Sequence, residues 1–139
     1  MRLVKIVLLG LFFSGVSYAG PVKVQELNSQ VFQQSKPAVT VTVDKPEFVI
    51  KLKSNPTTGF SWFLKDYDAG LIEAVGHKYY PSGNKNLIGA PGFELWSFKV
   101  KPAAFTVPHE LEIKFVYVRP WESAAKPTEA VFSVTTTQK

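Results

Sequence analysis

Two histidines, His77 and His109, and no cysteine are what this 139-residue chain offers to nucleophilic or metal-assisted chemistry. A serine- or cysteine-type hydrolase needs a nucleophile beside an oriented base, and the sequence has neither a thiol nor a G-x-S-x-G elbow. His109-Glu110 matches the first two positions of an H-E-x-x-H zinc-protease helix, but position 113 is isoleucine and the surrounding alternation is that of a strand. Asp66-Tyr67-Asp68-Ala69-Gly70 resembles the start of a calcium loop, yet its glycine comes one place early and His77 stands where a glutamate is needed. It reads as an ordinary turn. Glu110 and Glu112 alternate with apolar residues, so they read as a solvated strand face. The absence of cysteine also removes a disulfide scaffold and every zinc site that needs sulfur. These residues argue for a binding protein over an enzyme, with no metal and no cofactor.

Three turns carry residue types suited to contact. They are Asn55-Pro56-Thr57-Thr58-Gly59-Phe60, Gly89-Ala90-Pro91-Gly92 and Arg119-Pro120-Trp121. Proline fixes φ, and glycine permits left-handed or extended conformations closed to other residues. Loops shaped in advance lose less entropy on binding, and an exposed tryptophan is the residue type most enriched at binding hot spots. Structural roles compete with this reading. The threonine hydroxyls can simply bond the backbone of a turn, Phe60 or Trp62 and the pair Trp96 and Phe98 can be core, and Arg119 can hold its loop or a nearby carboxylate. Trp121 lies in a polar turn and is the hardest to explain by packing.

The elements that would position these turns are strands. Residues 39–43 alternate, residues 47–53 put Phe48, Ile50 and Leu52 on one face, and Trp96, Phe98 and Val100 share another. Leu111, Ile113, Phe115 and Tyr117 alternate with Glu110, Glu112, Lys114 and Val116, and a β-branched run near 128–136 closes the pattern. Weaker strands are expected near 71–75 and 77–80, and a short first strand with a variable connection within 21–36. No segment has a convincing helical repeat. The expectation is an all-β, immunoglobulin-like two-sheet sandwich of about seven to eight strands. Segments 55–60 and 119–121 then correspond to the B–C and F–G turns, which share one end, and the 89–92 turn joins them there if it is the D–E turn.

Met1, Arg2 and Lys5 lead into an apolar run over 6–16 followed by Ser17-Tyr18-Ala19, which is the pattern of a secretory signal peptide cut after Ala19. The expected organisation is a signal peptide at 1–19 and a single domain at 20–139, exported to the periplasm or secreted. Without Arg2 and Lys5 there remain 14 basic against 11 acidic residues. The basic ones, Lys51 and Lys53 included, are scattered with acidic residues among them, which speaks against nucleic acid as a partner. No stretch of the mature chain approaches the ~20 apolar residues that span a bilayer, so no membrane insertion is expected after cleavage.

The order N-P-T-T-G-F, G-x-x-G, R-P-W behind a signal peptide resembles the chagasin-type inhibitors of papain-like cysteine peptidases, over about residues 39–139. The resemblance implies an immunoglobulin-like sandwich that presents three loops as a wedge across the peptidase cleft, acting reversibly and as a monomer. Thr57 and Thr58 would enter the catalytic centre on a turn held by Asn55, Pro56 and Gly59, with Phe60 following. The central loop would be Leu87, Ile88, Gly89, Ala90, Pro91 and Gly92, and Trp121, set by Arg119 and Pro120, would pack on the other side. The family's central loop is usually G-x-G-G, and Pro91 in its third place stiffens it. Two other readings compete: a carbohydrate-binding module stacking sugars on Trp121 with Tyr79 or Tyr80, and an envelope adhesion domain pairing through an edge strand.

Overall fold

A period of two in apolar residues commits the chain to pleated strands with one face turned inward. The computed structural model describes residues 30–81, 83, 89–123 and 126–139. The expected signal peptide and the first part of the 21–36 segment lie outside these, as do Leu87 and Ile88. Among the described residues there are eight strands: β1 (Gln30–Gln33), β2 (Ala38–Thr42), β3 (Glu47–Ser54), β4 (Ser61–Tyr67), β5 (Ile72–Tyr80), β6 (Gly92–Val100), β7 (Glu110–Val118) and β8 (Thr128–Thr137). They form two sheets, ordered β1-β3-β6-β5 and β2-β8-β7-β4. Lettered along the chain, these are the ABED and CFG sheets of an immunoglobulin-like sandwich, with β2 added beside β8. Among the described residues the only helical pieces are two short 3-10 turns, Pro56–Thr58 and Pro102–Phe105.

Two details depart from the sequence reading. The two weak strands expected near 71–75 and 77–80 are one strand, β5, whose register against β6 slips between Ala74 and Gly76. The extra residue is a bulge at Val75, and it reverses the alternation halfway along the strand. The first strand is as short as expected, but it pairs parallel to β3, as β2 does to β8.

The core is the space between the sheets. Phe48, Ile50 and Leu52 from β3, Ile72 from β5, and Phe98 and Val100 from β6 face Val39, Val41, Trp62, Ile113, Phe115, Ala130, Phe132 and Val134 from the other sheet. Phe115 is the hub, with its ring centroid 6.2 Å from Phe98, 6.0 Å from Phe132 and 5.3 Å from Trp96, all edge-on. Such pairs are worth about 0.5–1.5 kcal/mol beyond their buried area.

Strand register fixes where the turns emerge. Ser54 pairs with Gly92, Ser61 with Val118, Tyr80 with Phe93 and Tyr117 with Thr128. The turns β3–β4, β5–β6 and β7–β8 therefore leave the sandwich at the same end. The opposite end is plugged by buried Ala104 and Phe105. There Thr136 Oγ1 donates to the Ala104 carbonyl at 2.7 Å and Gln138 Nε2 to that of Phe105 at 3.1 Å.

Candidate functional site

Asn55 organises the first turn. Its backbone N–H donates to the Tyr117 hydroxyl at 2.9 Å, its carbonyl accepts from Thr58 N at 3.1 Å and Thr58 Oγ1 at 2.6 Å, and its side-chain oxygen accepts from Thr57 Oγ1 at 2.6 Å. Pro56 opens the 3-10 turn, where its missing N–H is no loss. Gly59 closes the turn in the left-handed region at φ 82°, its N–H bonded to the Pro56 carbonyl at 2.9 Å. Pro56, Thr57 and Thr58 remain exposed. Both threonine hydroxyls donate within the turn, to Asn55.

The three turns are joined to one another. Asn55 Nδ2 donates to the Gly89 carbonyl at 3.2 Å, which ties the first turn to the central one. Arg119 Nε donates to the Thr58 carbonyl at 2.9 Å, and its Nη1 bonds Glu122 Oε1 at 2.9 Å. The Trp121 ring lies against Gly59, where an added Cβ would sit 2.8 Å from Cη2 and Cζ2. Trp121 is nevertheless 70% exposed. Behind the surface, the Arg119 guanidinium carbon is 4.5 Å from the Phe60 ring centre, Phe60 stacks on Tyr117 at 5.3 Å, and Tyr117 packs on Trp62 at 4.9 Å. A continuous stack thus runs from the third turn into the core, and it holds Phe60 half-buried as a support.

In the central turn, Gly89 is left-handed at φ 81° and exposed, as is Pro91, while Ala90 is half-buried. Gly92 has a different need. It is buried at the start of β6, where a Cβ would collide with the Tyr80 carbonyl and the Tyr79 side chain. Pro120 is exposed beside Trp121. Every described residue of the three motifs therefore lies at one end of the sandwich.

The other chemistry-bearing residues are dispersed. His109 precedes β7 with Nδ1 3.0 Å from the Ala104 carbonyl, at the far end. Asp68 caps its own turn by accepting from Gly70 N at 2.9 Å. Glu110 and Glu112 are exposed, and Glu112 pairs with Lys114 at 3.0 Å and raises the lysine pKa above its ordinary value, chiefly through a hydrogen bond. Tyr80, a candidate for sugar stacking, has its ring stacked on Phe93 at 5.7 Å with Lys78 Nζ 5.1 Å from its centre.

Sequence reasoning missed Tyr117 and Glu94. Tyr117 was visible only as an inward strand residue, with no sign that its hydroxyl reaches Asn55. Glu94 belongs to the inward alternation of Trp96, Phe98 and Val100 carried back one step, a signal its charge conceals.

The fold and this loop end define a β-sandwich with three turns cross-bonded at one end. The model of the Chagasin family peptidase inhibitor I42 matches residues 40–136, and the chain belongs to this family, one of inhibitors and not of enzymes. Chagasin from Trypanosoma cruzi is 36% identical over 95 residues, which span 65% of this chain and 81% of that protein. Among solved structures, the cysteine protease inhibitor EhICP2 from Entamoeba histolytica aligns with a TM-score of 0.63 at 19% identity, covering 77% of this chain and 94% of that one. Amebosin aligns at 0.59 and 20% identity, covering 78% and 97%. At those identities the likeness to the two structures is one of fold.

Proposed function

We propose that this protein is a reversible, occlusive inhibitor of papain-family cysteine peptidases, which lays its three joined turns into the active-site cleft without forming a covalent bond. The observation that carries the reading is the assembly of all three motifs at one end, cross-bonded through Asn55, Gly89, Thr58 and Arg119, with Trp121 exposed beside them. Thr57 and Thr58 form the leading edge, narrow enough for a cleft and folded in a 3-10 turn instead of the extended geometry a peptidase cleaves. Residues 89–92 flank one side, and Trp121 anchors the other. A standard interface buries roughly 1,600 Å² in total, which three turns of this size can supply. The inhibitor works as a single domain at 20–139 and as a monomer, exported after removal of 1–19. Its lack of cysteine suits work beside a thiol enzyme kept reduced.

Steady-state inhibition of papain by residues 20–139, titrated from nanomolar to micromolar with a serine peptidase as control, tests the reading. Tight, reversible inhibition of papain alone is expected. No inhibition of papain up to tens of micromolar would overturn it.

A further inference from the structure

Glu94 is the one carboxylate buried among the described residues, 2% exposed on the inner face of β6 and two residues beyond Gly92. A buried charge is costly unless its oxygens are met, and these are met from three other strands. Oε1 accepts from Ser54 Oγ at 2.5 Å and from the Trp62 backbone N–H at 3.3 Å, while Oε2 lies 2.8 Å from His77 Nε2. Ser54 is the last residue of β3 and Trp62 the second of β4. One oxygen therefore bridges the entry and the exit of the 55–60 turn. Glu94 itself stands on the strand that leaves the central turn, and His77 on the strand that enters it. The His77 ring is held in turn by stacking on Trp96 at 4.1 Å. An apolar residue of similar volume in such a place often gives equal or greater stability, so core packing alone does not account for a carboxylate here.

We infer that Glu94 is a positioning residue for the inhibitory end. Its carboxylate sets the separation of the two stems of the first turn and locks both to the stems of the central turn, so that Thr57, Thr58 and Gly89 hold one relative placement before a peptidase arrives. The inference rests on the proposed reading of this end as the peptidase-contacting surface.

Three variants test it: Glu94→Leu removes every polar contact, Glu94→Gln keeps an amide oxygen for Ser54 and Trp62 and an amide N–H for His77, and Ser54→Ala removes one bond. The first readout is amide hydrogen exchange in the free protein at Thr58 and Gly59, whose N–H groups bond Asn55 and Pro56. The second is the dissociation rate of the papain complex. Glu94→Leu should speed exchange at Thr58 and Gly59 by about tenfold or more while exchange at Ala104 and Thr136, at the far end, stays unchanged. It should also speed dissociation about tenfold with little change in association. Glu94→Gln should stay within about threefold of the parent protein in both readouts, and Ser54→Ala should fall between, giving a result even if Glu94→Leu does not fold. Unchanged exchange at Thr58 and Gly59 in Glu94→Leu, or in Ser54→Ala where Glu94→Leu does not fold, an equal rise at both ends of the sandwich in that variant, or its unchanged dissociation rate overturns the inference. The exchange measurement needs no peptidase. A parent protein that fails to inhibit papain therefore sinks the functional reading, and the role of Glu94 is still decided by exchange.

Discussion

Among the described residues Trp121 presents the most exposed large apolar side chain at the loop end, and its ring rests on Gly59, a residue with no side chain to displace it. Its position is therefore set by the first turn as much as by its own. Contact anchors of this kind carry a disproportionate share of binding energy. Trp121→Ala should weaken papain inhibition by about 2 kcal/mol, roughly thirtyfold, with the melting temperature unchanged because the ring buries little. An unaltered inhibition constant would show that Trp121 is not an anchor. Residue type pointed to this tryptophan, and the family resemblance to the threonines. Neither told contact from support, because that depends on rotamers: both threonine hydroxyls turn inward to Asn55, and Phe60 is occupied between Arg119 and Tyr117.

The strands that set the frame were readable wherever one face is wet. In β3 and β7 the alternation carries Phe48, Ile50, Leu52, Ile113 and Phe115 inward as expected, although Val49, expected on the wet face of β3, is buried as well. β5 defeated the same reasoning, since a one-residue bulge at Val75 moves later residues to the opposite face. Glu94 was missed for an electrostatic reason. A glutamate on an inward face is improbable until its three partners are known, and those come from β3, β4 and β5, distant in sequence. The closed end of the frame and the loop end should separate energetically. Phe105→Ala, at the closed end, where the ring is buried, should lower stability by about 3–5 kcal/mol in denaturant unfolding, yet leave inhibition by the folded fraction within about twofold. A large loss of inhibition in still-folded protein would mean that the core and the turns are coupled more tightly than their contacts imply.

As a whole, the molecule has two unlike ends. One is closed by Ala104, Phe105 and the bonds from Thr136 and Gln138. The other gathers the three turns and keeps their tips exposed. The proposed function assigns all inhibition to that second end. The most direct test is a pair of variants that place the same bulky charge at each end, Thr58→Arg and Val107→Arg, measured by papain inhibition. Val107 is exposed beside the closed end, and its variant should inhibit like the parent protein. Thr58→Arg should obstruct insertion and raise the inhibition constant by at least about a hundredfold, a loss near 2.7 kcal/mol. If Thr58→Arg inhibits papain as well as Val107→Arg does, the three-turn end is not what enters the cleft.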